Sequence, residues 1–296
     1  MARRRLKPGG ISFHHVMTRT AQGVFWLEEP QVKDIFDDLI DFYTDVYYIK
    51  DLARSCMSNH YHLVLEIDPP EFDLEDVRRR YELAQARLVK PRPFREQMAE
   101  YYYKKYTNLS WFAWEINRRM AVLYNKMKGT KGHLWGGRFK NIVVQPGEHL
   151  LRVMAYVELN AVRAGIVEDP SDFPYSSVGR IKEKLEQGKK PTVPQIPLLE
   201  KLPKEIRAQT YVDVMRYIAI AQTEPELRRQ SLPIQFTARC MEVNLEAMCE
   251  ALASREPGNW SNLTYGSSGF PERTLIEAGW FRKPGEGGQK ARTEVA

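Results

Sequence analysis

The residues best suited to chemistry in this chain are two histidines with one residue between them, His60 and His62, in the run Met57-Ser58-Asn59-His60-Tyr61-His62-Leu63-Val64-Leu65-Glu66. In a β-strand, alternate side chains share a face, and two residues apart is about 7 Å along the strand. The two imidazoles therefore look to one side and can share a metal ion, while Tyr61, Leu63, Leu65 and Ile67 turn to the other and bury. The competing reading is a pair of half-buried histidines satisfied by hydrogen bonds. Glu66 shares the histidine face and could bind metal, orient an imidazole, or end the strand in solvent.

A second group lies about a hundred residues on. In His149-Leu150-Leu151-Arg152-Val153-Met154-Ala155-Tyr156-Val157-Glu158-Leu159-Asn160-Ala161-Val162-Arg163, helical spacing puts Leu150, Met154, Val157, Ala161 and Ala164 on one apolar face. Tyr156 lies about 200° from Met154 at 100° per residue and leaves that face. Arg152, Tyr156, Asn160 and Arg163 share the other stripe, a phenol and an amide between two guanidinium groups. The alternative is a solvated helix face with a boundary tyrosine. A free phenol is a weak nucleophile at neutral pH, since its pKa is near 10. A metal ion that polarises a phosphodiester lowers the barrier to its attack, and arginines hold and neutralise the phosphate. Two imidazoles and an amide oxygen leave coordination positions open, which suits catalysis better than a closed structural site.

The elements that must position these groups follow from periodicity and punctuation. Strands are expected at 11–18, from 45 towards 57, at 60–67 and at 138–145. Helices are expected at 29–43, 109–128 and 148–164; Trp111, Phe112, Ile116, Met120, Leu123 and Tyr124 form the apolar side of the second, and Gly165 caps the third. Ser58-Asn59 is a turn short enough to make its flanking strands antiparallel. The charged segment 71–108, with Pro91 and Pro93, reads as an insertion of two helices broken at the prolines. The order β-α-β-β-α-β-α is a ferredoxin-like split βαβ arrangement, an α+β fold with an antiparallel sheet, plus one helix. Residues 1–180 make the first domain. Residues 181–296 read as a helical extension, with amphipathic helices near 204–222 and 235–253 and a flexible tail from Pro257.

With 296 residues, 43% hydrophobic and 28% charged, the chain can bury a sizeable core. Its net charge of +6 favours a polyanionic partner. Three cysteines (Cys56, Cys240 and Cys249), none in a Cys-x-x-Cys pair, suit a reducing compartment. No apolar run approaches a signal sequence or a membrane span, so a cytoplasmic location is expected. No cysteine lies near His60 and His62 as a fellow ligand, which disfavours structural zinc.

Five segments together resemble the HUH single-tyrosine transposases, and among them the REP-associated tyrosine transposases. They are His14-His15-Val16-Met17-Thr18-Arg19; Met57 to Val64; Gly132-His133-Leu134-Trp135-Gly136-Gly137-Arg138-Phe139-Lys140; Tyr156 to Gly165; and Asp172-Phe173-Pro174-Tyr175-Ser176-Ser177. They cover residues 1–180. The resemblance implies an HUH endonuclease core in which His60, His62 and Asn160 hold Mg²⁺ or Mn²⁺ and Tyr156 is the nucleophile. It implies cleavage of single-stranded DNA beside a hairpin, leaving a 5′-phosphotyrosine and a free 3′-hydroxyl. Arg19, Arg118, Arg119, His133, Arg138, Lys140, Arg152 and Arg163 are the residues expected to meet DNA. Ala161 stands where the family often has proline, and the 71–108 insertion is longer than usual. The rival expectation is a domesticated relative that binds structured single strands without cutting them. Monomer and homodimer both stay open.

Overall fold

The structure, a computed structural model, describes residues 10–200, 202–223, 259–260 and 264–266. Its centre is an antiparallel sheet of β1 (Ser12–Arg19), β2 (Ile49–Cys56), β3 (His60–Ile67) and β4 (Lys140–Val144), in the order β2-β3-β1-β4. β3 lies between β1 and β2, which is the split βαβ arrangement, and the fold is mixed α+β as expected.

One face is covered by α1 (Pro30–Val46) and α4 (Leu109–Lys128). Pro30 starts α1, where its fixed φ suits the helix and its missing N–H costs nothing. Asn108 caps α4 by accepting from the Ser110 N–H, and Gly129 ends it in the left-handed region at φ 64°. Phe36, Leu39 and Ile40 of α1 meet Phe112, Ile116 and Met120 of α4 over Tyr61, Leu63, Leu65 and Ile67 of β3. These four β3 residues turn to the side their alternation predicts. Trp111 does not join the apolar side of α4. It is exposed, as is Trp114, because Phe112, Ile116 and Met120 already fill the stripe that faces the sheet.

The insertion holds α2 (Leu74–Ala86) and α3 (Ala99–Tyr106), with the proline segment between them. Tyr102 packs against Tyr81, Phe94 and Tyr106, so the tyrosine run 101–103 is anchored within the insertion. α1 runs on to Val46, so β2 starts later than expected, at Ile49.

The opposite face of the sheet receives α5 (Glu148–Glu158), whose Leu150, Met154 and Val157 pack on Leu52, Val64 and Val144. The single helix expected over 148–164 is interrupted at Leu159 (φ −85°, ψ 10°), beyond which α6 (Asn160–Arg163) begins. Ala161 stays buried, but Ala164 is exposed. Next come α7 (Ser177–Glu186), α8 (Pro197–Glu200) and α9 (Lys204–Thr223). A Cβ on Gly179 would lie 1.9 Å from the Phe173 carbonyl oxygen, so only glycine lets α7 approach that loop.

The helix expected near 204–222 is present as α9. Its Tyr211, Val212, Met215 and Ile218 share one core cluster with Val64, Val144, Leu150 and Met154. The boundary expected at residue 180 falls inside α7, and the core does not stop there. The helix expected near 235–253 lies outside the described residues. Two short segments of the tail expected to be flexible, β5 (Asn259–Trp260) and β6 (Thr264–Gly266), extend the sheet, β6 running parallel to β4. Among the described residues no helix is long and apolar enough to cross a membrane.

Candidate active site

His60 and His62 stand on the β3 face that receives α5, as the alternation predicts, and their ring centroids are 5.0 Å apart. Across the sheet, Arg19 is opposite His60, Met17 opposite His62 and Lys140 opposite Met17, so Arg19 and Lys140 belong to the same face. Tyr156 projects from α5 onto this cluster. Its ring is 5.7 Å from that of His62 and edge-on to it. The tyrosine is 39% exposed, which leaves the phenol open to a large substrate.

A third histidine joins the pair. The His15 ring stacks on His62 at 5.0 Å and meets Tyr156 at 5.9 Å, and its Nε2 is 2.8 Å from Nδ1 of His62. His15 had no role in the sequence reading. The available signal was alternation on β1, which puts Phe13, His15 and Met17 on one face. What the sequence lacked was the register that brings His15 beside His62.

Hydrogen bonds set how the imidazoles present themselves. The Asn59 side-chain amide donates to the Gly23 carbonyl oxygen at 3.0 Å, so its oxygen is left to accept from Nδ1 of His60, 2.7 Å away. His60 Nε2 then carries a bare lone pair. If His62 Nδ1 donates to His15, its Nε2 is bare as well. Burial holds all three imidazoles neutral. It lowers His15 to about 4; it lowers His62 well below the usual value, helped by His15 and His60; and it lowers His60, helped by the Arg19 charge. Neutral imidazoles are the form that binds metal.

Asn160 opens α6, one turn beyond Tyr156, and its buried side-chain nitrogen has no hydrogen-bond partner. Turning that amide over would place an oxygen, a hard ligand, at the same point. Among the described residues no group of three or more His, Cys, Asp or Glu is arranged to hold a metal ion. The resemblance names His60, His62 and the Asn160 amide as the residues that would hold a divalent ion, with phosphate oxygens and water completing the site. The amide oxygen, phosphate oxygens and water are ligands that Mg²⁺ or Mn²⁺ takes, whereas the two imidazoles suit softer divalent ions as well. Glu66 does not take part, because it pairs with Lys50 at 2.6 Å.

Arg163 donates to the Tyr156 carbonyl oxygen at 2.7 Å, and its guanidinium carbon lies 4.8 Å from the Tyr156 ring centroid. Arg152 is half-buried on α5. The exposed loop bearing His133 and Arg138 is stitched to the end of β1, where Gly136 N–H donates to the Arg19 carbonyl oxygen at 2.9 Å. Arg118 and Arg119 are on α4, behind the sheet from the histidines. Arg118 reaches Glu115 at 3.5 Å, and Arg119 interacts with the Tyr43 hydroxyl.

Glu158 was not anticipated. Its carboxyl group is fully buried, with the Val178 N–H at 3.0 Å and the Tyr211 hydroxyl at 2.8 Å. Burial raises it to about 8. It ties the end of the helix carrying Tyr156 to both α7 and α9.

No family model matches the chain, and no curated protein matches it. One solved structure similar to it is a REP-associated tyrosine transposase bound to a REP hairpin. The two share 18% sequence identity with a TM-score of 0.39, over 64% of this chain and 88% of the other. At that distance the likeness says nothing about which residues act.

Proposed function

We propose that this chain is a metal-dependent single-stranded DNA endonuclease and strand transferase with Tyr156 as its nucleophile. The observation that carries the reading is the convergence of Tyr156 with His62 and His15, at 5.7 and 5.9 Å between ring centroids, on a face that also presents His60. The substrate class comes from the resemblance of five sequence segments to HUH tyrosine transposases.

The Tyr156 phenolic oxygen forms a bond to phosphorus and the P–O3′ bond breaks. The phenolic proton is lost to solvent, and the departing 3′-oxygen takes up a proton to become a hydroxyl. The product is a 5′-phosphotyrosine, and attack by a 3′-hydroxyl on that linkage regenerates the phenol and joins strands. Arg163 holds a positive charge against the Tyr156 ring, which favours the phenolate character that develops during attack. Arg19 and Lys140 flank the histidines on the same face and neutralise the phosphodiester. When bound by His60, His62 and Asn160, a divalent ion supplies Lewis-acid polarisation of the phosphate. The reacting phosphate must reach a cleft between sheet and helix, which a stiff duplex cannot enter, so single strands flanked by a hairpin are the expected substrates.

The test is incubation with hairpin-bearing single-stranded oligonucleotides taken from the DNA flanking the gene. The parent protein is expected to form a covalent adduct that survives denaturing electrophoresis, and Tyr156→Phe to form none while still binding. An adduct mapping to another tyrosine, equal cleavage of a perfect duplex, or tight binding without any adduct would each overturn the reading; the last is the behaviour of a non-cleaving binder.

A further inference from the structure

On the far side of the loop that joins Arg19 lies a groove of about 660 Å³, lined by Trp111, Trp114, Asn117, Trp135 and Arg138 among others. We infer that this groove is a second nucleic-acid subsite, in which unpaired bases of single-stranded DNA stack on Trp111 and Trp114. The substrate class rests on the function proposed above; the groove itself does not.

Exposed tryptophans on a helix whose core stripe is already full need a reason. Trp111 and Trp114 are 38% and 49% exposed and stand edge-to-face, with centroids 5.5 Å apart. A cation lies over one side of each ring, leaving the other side for a base: Lys105 Nζ is 5.4 Å from the Trp111 centroid, and the Arg118 guanidinium carbon is 5.2 Å from that of Trp114. Glu115 pairs with both cations, at 3.0 and 3.5 Å, and Arg138 adds a further positive charge on the opposite wall. Exposed indoles beside Arg138 are what a single strand needs, since every base offers a π-face and every linkage a phosphate. A protein partner's apolar surface would not call for that charge.

One wall of the groove is held by hydrogen bonds. Trp135 Nε1 donates to the Asn117 carbonyl oxygen at 2.8 Å, and its ring packs edge-on against Tyr61 at 5.5 Å. Tyr61 in turn donates to the Asn117 side chain at 2.8 Å. These bonds fix the wall that faces Trp111 and Trp114, so that side of the groove is in place before a strand arrives. Because Gly136 bonds to Arg19, and Arg19 is opposite His60, the same loop walls the groove and borders the histidine cluster. A strand that engages both passes round the end of β1 at this loop, because α4 lies behind the sheet from the histidines.

The experiment compares a short oligo(dT) with an abasic strand of equal length and charge, at matched salt, on the full chain. The parent is expected to prefer oligo(dT) by about tenfold or more, given the usual worth of base–aromatic stacking. Trp111→Ala with Trp114→Ala should abolish that preference while leaving affinity for the abasic strand unchanged, and the double phenylalanine variant should keep part of it. The inference is overturned if the alanine variant still discriminates, if it loses affinity for both strands alike, or if sedimentation shows the parent to be a dimer and the variant a monomer, which would make the face a contact between copies. Adduct formation at Tyr156 on an oligonucleotide too short to reach the groove reports separately on the proposed catalytic function.

Discussion

His15 Nε2 and His62 Nδ1 lie 2.8 Å apart, although neither is the other's partner across the sheet: His15 is opposite Val64, and His62 is opposite Met17. The contact is diagonal, of the kind that reaches only between large side chains. It gives His62 a fixed neighbour at one ring nitrogen, and in the tautomer in which His62 donates to His15 the other nitrogen is left for a ligand.

Replacing His15 should therefore weaken metal binding without removing a ligand. His15→Ala is expected to lower Mn²⁺ affinity by about 10- to 100-fold, the usual cost of losing a group that orients a metal-binding imidazole. Calorimetric titration of the purified protein checks this. Affinity equal to the parent's would show that His62 holds its orientation without help.

Loss of the ligands themselves should be more severe. Chelation with EDTA, or His60→Ala with His62→Ala, should stop adduct formation, and Mg²⁺ or Mn²⁺ should restore only the chelated parent protein. Asn160→Ala should be milder, because two imidazoles and water still hold the ion. Adduct formation at the parent rate in excess EDTA would end the metal-assisted reading.

Glu158 sets a pH dependence of stability. Its folded-state value of about 8 lies above the ordinary 4.5, so the folded state holds its proton more tightly than the unfolded chain does. That contribution is complete below about 4.5 and is lost as pH rises through 8. Glu158→Gln mimics the protonated carboxyl, so the parent should lose stability relative to this variant between pH 5 and 8 in urea unfolding. Glu158→Ala leaves the Tyr211 hydroxyl and the Val178 N–H unpaired and should cost about 1–3 kcal/mol for each. Parallel pH profiles for parent and Gln variant would show that Glu158 is ionised at neutral pH.

Truncation after residue 180 tests how far the core extends. The cut removes most of α7 and all of α9, uncovering Val64, Leu150 and Met154. The truncated chain is expected to aggregate, or to bind a hydrophobic dye and melt without a sharp transition. A cooperative melt together with retained adduct formation would make the C-terminal third an accessory module.

Much of the site could be read from spacing. β3 spans His60 to Ile67 in both the pattern and the fold, because alternation along one strand is a local property that sheet formation preserves. The stripe expected to join Tyr156 and Asn160 rests on one continuous helix, which the structure interrupts at Leu159 between them. Gly165, expected as a helix terminator, adopts φ 68° just beyond α6.

What lay beyond the sequence depends on elements meeting across long separations. Sheet order and register put His15 beside His62, 47 residues away. The break at Leu159 stands in a stretch whose apolar spacing continues unbroken through Ala164. Glu158 falls between two residues of the chemical stripe and looked like an ordinary acidic helix residue; only the arrival of α7 and α9 buries it. Trp111 looked like core until Phe112, Ile116 and Met120 took the places against the sheet. Local periodicity decides which residues share a face, but only packing decides which faces meet and which are left for a partner.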